Sequence, residues 1–473
     1  MQHANVPADS DLCRPLLETI WAAAQGVPEH TESVTFQGQG QLPSFFAVTD
    51  LAAASMGAAG LALASLIQAL EQASENLVQS PLAVKVDRRL ASFWFATTLR
   101  PKGWTLPKHA ELAGADYLAK DGWLRLHTNA PHHKEAALRV LKCAPTSQAV
   151  TEAVATWARE DLVERVIAQG GCAATMFSPE QWLQHPQGQA VLKEPLIHWA
   201  LGHPSEKKLW SFERAQPLKG LKILDMTRVL AGPAATRILA GLGAEVLRID
   251  APMWEESNAP EMTLGKKCAE LDLRDAAQRE QWIELLREAD VLVHGYRSDA
   301  LARLGLDVQA RQEICPGLID VSLDAYGFSG PWHHRRGFDS LVQMSMGIAY
   351  AGQQFAQSAR PAPLPVQALD HATGYLMATA VLRGLEQRLR RGHGSIACAS
   401  LARTGALLMT TMDAAAINRP TLAPEGSDDL GAEIEVTAWG PARRIVWPLT
   451  VTDVEMRWAL GAGPLKRHPP SWS

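Results

Sequence analysis

Between residues 218 and 323 short apolar runs alternate with amphipathic stretches, and few folds accept that pattern. Residues 221–224 read as a strand, and 233–241 as a helix with Pro233 in its first turn. Gly241 and Gly243 then stop the helix before a second strand at 245–249. Residues 275–289 carry Trp282, Leu285 and Leu286 on one helical stripe. A strand at 290–293, a short helix at 298–304 and a strand at 318–323 continue the series. Mostly apolar strands alternating with helices predict an α/β fold, a doubly wound parallel sheet covered on both faces. Ligands bind such sheets at the carboxyl ends of the strands, here 226–231, 295–297 and 324–330. The first of these ends runs through Leu221-Lys-Ile-Leu-Asp-Met-Thr-Arg-Val-Leu-Ala-Gly-Pro233, where helix N–H groups can receive an anion. Gly241 and Gly243 are not a dinucleotide fingerprint, because they follow a helix and precede a strand.

With 473 residues the chain has room for two or three domains. The divisions expected are 1–210, a helical and small-domain module; 211–410, the strand–helix module; and 411–473, a loop followed by closing strands. In the first module, 51–72, 136–141 and 148–169 read as helices around strands at 82–86 and 123–127. A net charge of −5 and the lack of a Lys/Arg block argue against nucleic acid or an anionic membrane as partner. The apolar run 51–66 is rich in Ala and Gly and reads as too short to span a bilayer. The first residues show no signal-peptide pattern, and six cysteines lie far apart without C-x-x-C. A cytoplasmic protein with reduced thiols is expected. His127, His132, His133, His333 and His334 match no metal-site spacing and read as solvated loop residues, so no metal is expected.

An internal echo links two segments. Phe46-Ala-Val-Thr-Asp50, an Ala-rich helix and Leu82-Ala-Val-Lys-Val-Asp-Arg-Arg-Leu90 parallel Pro365-Val-Gln-Ala-Leu-Asp370, a helix and Gly394-Ser-Ile-Ala-Cys-Ala-Ser-Leu401. The echo makes Asp50 and Asp370 counterparts, each expected at a helix N-cap.

Seven words in fixed order carry a resemblance. They are Leu218-Lys-Gly-Leu-Lys-Ile-Leu-Asp-Met-Thr-Arg-Val-Leu-Ala-Gly-Pro233, Leu242-Gly-Ala-Glu-Val-Leu-Arg-Ile-Asp250, Gly265-Lys-Lys-Cys-Ala-Glu-Leu-Asp-Leu273 and Ala289-Asp-Val-Leu-Val-His-Gly-Tyr-Arg297. Tyr326-Gly-Phe-Ser-Gly-Pro331, Gly337-Phe-Asp339 and Leu369-Asp-His-Ala-Thr-Gly374 complete them. Together they resemble the family III CoA-transferases, which include formyl-CoA transferase, carnitine CoA-transferases and 2-methylacyl-CoA racemases. Tyr117-Leu-Ala-Lys-Asp-Gly-Trp-Leu-Arg-Leu126 and Gly171-Cys-Ala-Ala-Thr-Met-Phe-Ser-Pro-Glu-Gln-Trp182 resemble the family's second half, here placed before its first.

The resemblance implies that Asp370 is the nucleophile of a CoA transfer between an acyl-CoA and a carboxylic acid, with Asp50 as its rival. It implies a mixed anhydride and an aspartyl-CoA thioester, covalent steps that divide a hard transfer. Coenzyme A enters as substrate and no cofactor is held tightly. The implied contacts to it are Val229, Leu230 and Ala231 in the first turn, Lys266 near the phosphates, and Gly295, Tyr296 and Arg297 over the nucleotide. Arg303, Arg336 and Asp339 complete the set, while Ala251 stands where members often carry a basic residue. Racemases of the family place a His just before this Asp, whereas Phe338 cannot titrate, so transfer is favoured over racemisation. A CoA-binding protein without catalysis is the other alternative. The resemblance also implies a homodimer, or a pseudo-dimer within one chain.

Overall fold

The computed structural model describes residues 12–74, 83–107, 114–205, 210–252, 256–296, 299–413 and 419–472. Its main sheet has strands in the spatial order Lys266–Glu270, Glu245–Asp250, Lys222–Met226, Val291–His294, Ile319–Asp324, His393–Ser400 and His198–Pro204. Numbered along the chain, the first six run 3-2-1-4-5-6 and pair in parallel, the doubly wound order. The seventh comes from the first half of the chain and lies antiparallel at the edge. Each residue of Val291–His294 is buried, as a strand covered on both faces requires. The switch point falls between the strands Lys222–Met226 and Val291–His294, and the 227–231 turn opens there.

Several elements differ from expectation for local reasons. Residues 298–304 supply only the 3₁₀ turn Ala302–Leu304 among the described residues. The expected helix 148–169 is two helices, Ser147–Val154 and Arg159–Ala168. At the break a hairpin tip intrudes: Lys120 N–H donates to the Trp157 carbonyl (3.0 Å), and Asp121 accepts from Arg159 N–H (2.8 Å). The apolar run 51–66 grows into the 26-residue helix Val48–Ala73, long and apolar enough to cross a bilayer, yet with its apolar window buried in the core. None of the six cysteines forms a disulfide.

The echo proves to be a repeated strand–helix–strand unit. Val34–Gln37 pairs in parallel with Val84–Asp87 through the Val48–Ala73 helix, as Ile319–Asp324 pairs with His393–Ser400 through Ala368–Arg391. The two helices begin alike, at Ala47 (φ −76°, ψ 61°) and Gln367 (φ −76°, ψ 65°). Val48 N–H to Phe46 O and Ala368 N–H to Val366 O are both 2.8 Å, the same tight turn. The helices pack along each other, and Ser65 Oγ donates to Glu386 (2.9 Å) across the contact.

A hairpin with a third strand (Ala115–Ala119, Gly122–Leu126, Ala173–Thr175) and three helices forms a separate small module around Leu124, Leu162 and Val166. The C-terminal strands return to the first half: Leu449–Val451 pairs with Val84–Asp87, and Gly440–Arg444 with Leu99–Pro101. Buried Glu261 binds these pieces together. It accepts from Thr98 N–H (2.8 Å), Leu99 N–H (2.7 Å) and Thr98 Oγ1 (2.8 Å), and pairs with Arg444 (3.0 Å) and Arg237 (3.2 Å).

Burial opposes ionisation of Glu261, but Arg444, Arg237 and the backbone donors outweigh it and hold its carboxyl below the ordinary range. Its stabilisation is therefore full above the unfolded carboxyl pKa and fades as pH falls through the lower folded value. Glu261→Gln leaves buried Arg237 without its anion and Arg444 with Glu435 alone, and should cost about 3–5 kcal/mol. Denaturant unfolding from neutral to acid pH checks this: the loss should be largest near neutrality and shrink in acid.

Candidate active site

A cavity of about 750 Å³ opens where the small module faces the carboxyl end of the first parallel strand. Its lining joins distant segments: Val229 and Leu230 from the turn, Asp339 and Asp370 from two helix starts, Arg125 and His127 from the small module, and Trp439 from the tail. The expected first turn is therefore part of it.

Val229 holds the left-handed conformation (φ +67°), uncommon for a β-branched residue. Its N–H points at the Glu256 carboxylate (3.3 and 3.4 Å), and its carbonyl accepts from Asn258. Glu256 is in turn fixed by Arg228 (2.7 Å) and Arg248 (3.0 Å). This buried clamp pays for the strained turn and presents Val229 and Leu230 to the cavity. Ala231 is buried as the first residue of the helix Ala231–Gly241, and its carbonyl lies 2.4 Å from where a Cβ on Gly374 would stand. Glycine there lets the two helices close together, seating Asp370 beside the turn.

Asp370 is the third residue of the helix Ala368–Arg391, and Gln367, not Asp370, is the N-cap. The first-turn N–H groups expected to orient Asp370 are taken by Asp339, whose Oδ2 accepts from Leu369 N–H (2.9 Å) and Asp370 N–H (3.0 Å). Asp339, expected among the coenzyme contacts, thus caps the helix that carries Asp370. Among the described residues no donor reaches the Asp370 carboxylate. Burial, then the charge of Asp339, raises its pKa well above the ordinary carboxyl value, and burial raises Asp339 too. Two close carboxyls in a dry site resist double ionisation.

Asp50 occupies the matching place in its helix, again third and not the N-cap. It is 1% exposed against 8% for Asp370, and its Oδ1 pairs with Arg88 (2.5 Å) and accepts from Cys13 Sγ (3.1 Å). Asp370 faces the cavity and Asp50 does not line it.

The remaining candidates scatter. Lys266 is fully buried, its Nζ donating to Thr236 Oγ1 (2.6 Å), the Pro233 carbonyl (2.9 Å) and Asp225 (3.0 Å). It braces the strand–turn–helix from inside and cannot reach a phosphate, contrary to expectation. Gly295 is exposed, and Tyr296 packs at the edge of a second apolar cluster that contains Leu292 and Leu301. Arg297 lies outside the described residues. Arg303 is 72% exposed and pairs with Asp299, and Arg336 donates to the Gly170 carbonyl (3.0 Å). Neither these two arginines nor Gly295 and Tyr296 line the cavity.

His127 and His133, read as solvated, are buried. The His127 ring stacks on Phe338 at 3.8 Å and 5°, and His133 meets the same ring edge-on. Burial, with His132 and Arg336 nearby, lowers His133 to about 3. His371 stacks on Phe95 (5.2 Å) and is lowered to about 3 by burial and then Arg237. Sequence reading missed Arg125, His127, Glu256, Asn258, Glu261 and Trp439, because they reach the cavity from segments remote in the chain. Only His371, next to Asp370 in its motif, carried a local signal.

Because Asp370 binds its proton more tightly folded than unfolded, stability falls as pH rises from the unfolded carboxyl pKa through the folded one. Asp339→Asn keeps an oxygen for the helix N–H groups and removes the neighbouring charge. The Asp370 carboxyl, followed by isotope-edited infrared titration, should then ionise at lower pH, with unfolding free energy declining less towards neutrality.

Residues 218–437 match the family model described as CoA-transferase family III. The chain is 30% identical over 274 residues to an acyl-CoA transferase of Gibberella moniliformis, covering 54% of this chain and 48% of the relative. It is 33% identical to a probable fatty acyl-CoA transferase of Mycobacterium tuberculosis (38% and 48% covered) and 34% identical to a succinyl-CoA:glutarate CoA-transferase of Mus musculus (38% and 44%). A crystal structure of a hypothetical protein from Mycobacterium tuberculosis aligns with 30% identity and a TM-score of 0.37, covering 41% of this chain and 58% of that one. The chain thus spans about half the length of the curated relatives it matches. Over residues 218–437 it is similar to CoA-transferase family III.

Proposed function

We propose that the protein transfers coenzyme A between an acyl-CoA and a carboxylic acid, with Asp370 as nucleophile. The observation that carries this reading is the Asp370 carboxylate itself, set in the cavity with no described donor upon it. Hydrogen bonds would quench its attack, and burial removes the water that would hydrolyse its intermediates.

The Asp370 oxygen attacks the thioester carbon and expels CoA thiolate, leaving a mixed anhydride. The thiolate then attacks the aspartyl carbonyl and releases the donor acid as its carboxylate. An acceptor carboxylate attacks the resulting aspartyl-CoA thioester, expelling thiolate and forming a new anhydride. Attack of that thiolate on the acceptor's acyl carbon yields the new acyl-CoA and restores Asp370. Each anhydride divides the exchange into steps between similar leaving groups. Asp339 holds the start of the helix during these steps, in which Asp370 attacks as its carboxylate.

One observation favours a second reading. His127 brings an imidazole against Phe338, beside the place where the family's racemases carry a histidine. With Asp370 it would form a two-base pair for exchange of an α-proton.

Full-length protein is incubated with an acyl-CoA panel and hydroxylamine, then digested for mass spectrometry. A hydroxamate at Asp370, lost in Asp370→Asn and kept in Asp50→Asn, is the expected result. Label at Asp50 would overturn the assignment, and absence of label at either would favour coenzyme binding without transfer. Deuterium uptake at the α-carbon of a 2-methylacyl-CoA without hydroxamate would favour racemisation.

A further inference from the structure

Gln343 is a buried amide, 1% exposed, that stands behind the two carboxyls of the site. It follows Asp339 by four residues on the helix Asp339–Ser345, one turn on and on the same face. Its Oε1 accepts from Leu364 N–H (2.8 Å), and its Nε2 donates to Asp339 Oδ1. A main-chain N–H can only donate, so the amide oxygen must face Leu364. That contact fixes the flip of the amide and leaves its NH₂ aimed at Asp339.

The consequence falls on Asp339. Its Oδ1 takes the Gln343 donor, while Oδ2 takes the N–H groups of Leu369 and Asp370. A proton on Oδ2 would displace one of those N–H groups, and a proton on Oδ1 would crowd the amide. Asp370 faces the cavity with no donor on its carboxylate among the described residues. Two carboxyls this close resist carrying two charges, so one proton serves both. Hydrogen bonds to the charged form keep Asp339 ionised and leave that proton to Asp370. Burial raises Asp339 to about 6, still below neutrality, whereas burial and then Asp339 raise Asp370 well above the ordinary range. The other titratable groups around the cavity do not reverse this order. Arg125 of the small module favours the Asp339 anion, and Glu256 and Glu261 are paired with arginines. His371 is neutral, and His127 stacks on Phe338.

We infer that Gln343 is a positioning residue, which holds Asp339 as the anion of the pair and thereby assigns the shared proton to Asp370. The same amide ties that anion to the chain entering the Asp370 helix, since Leu364 leads into Pro365, Val366 and Gln367 of the cavity wall. Gln343 does not line the cavity, so it acts through Asp339 and not on a substrate. The assignment of the proton stands on the geometry of the pair; only its effect on turnover rests on the transfer reading.

Isotope-edited infrared titration of the full chain, with the Asp370→Asn spectrum subtracted, follows the Asp370 carboxyl without requiring turnover. Gln343→Met fills the same space and removes both hydrogen bonds, so Asp339 takes up part of the proton. The Asp370 midpoint should then fall by about one pH unit, a change of about tenfold in proton affinity. Gln343→Asn, an amide one methylene shorter, should shift it less, and it carries the same comparison where Gln343→Met does not fold. A packing defect can also move a midpoint, so both variants are repeated in Asp339→Asn. There no charge remains for Gln343 to hold, and the shift should vanish. An unmoved midpoint in the first background, or an equal shift in both, would overturn the inference. Because Asp370 attacks as its carboxylate, hydroxamate capture should rise with pH through the same midpoint, and at lower pH in Gln343→Met. Capture absent from every variant, with the infrared shift intact, would sink the transfer reading alone. A missing shift with capture intact would sink this inference alone.

Discussion

Glu261 is the buried charge on which the arrangement of this chain depends. A carboxylate in so dry a place is tolerable only when saturated, and its partners come from three remote stretches: Thr98 and Leu99, Arg237, and Arg444. Arg237 in turn lies over the Trp94 ring at 4.7 Å, so charge and aromatic packing converge on one junction. Since Glu261 and the adjoining Phe95–Thr97 segment both line the cavity, the junction that joins the halves also shapes its wall. Three-dimensional pairing, not order along the chain, satisfies that carboxylate.

A second constraint acts at the helix bearing Asp370. A helix start leaves N–H groups to be satisfied, and Gln367 supplies no side-chain cap. Asp339 supplies it from another helix, and in doing so leaves Asp370 with burial and a neighbouring charge but no donor. One arrangement therefore serves both the fold and the reactivity: the helix is capped from outside, and the carboxylate inside its first turn stays bare.

The strand–helix alternation was legible because strands buried on both faces must be apolar, and the six-strand order follows from the repeating crossovers. Asp370, Val229 and Leu230 each lie in a local motif and line one cavity. What failed shares one cause. Lys266 is a lysine at the start of a strand in sequence, and only packing reveals that Asp225 and Thr236 enclose it. His127 and His133 sit in a polar stretch, and their burial comes from Phe338, about 200 residues away, in a module that sequence cannot dock. The break in the 148–169 helix was hidden for the same reason, because a hairpin tip elsewhere claims its backbone.

The repeated unit shows how a second site can be retained as scaffold. Both copies keep the strand–helix–strand path, the same tight turn into the helix and an aspartate at its third position. The difference lies in what faces that aspartate. In one copy the facing group is Asp339, an acceptor that competes for no proton on the carboxylate oxygens and leaves an open cavity before them. In the other it is Arg88 with Cys13, which fill the space and turn the anion into half of a buried pair. Removing Arg88 would strand a buried charge, so the pair is locked in by the penalty of breaking it. An asymmetric pair of helices follows, with Val48–Ala73 packed along Ala368–Arg391 as a support and only the latter presenting its aspartate to solvent-sized space. Within one chain this reproduces two related helix starts while leaving one of them open to the cavity, and the apolar window of the 26-residue helix is buried in the core.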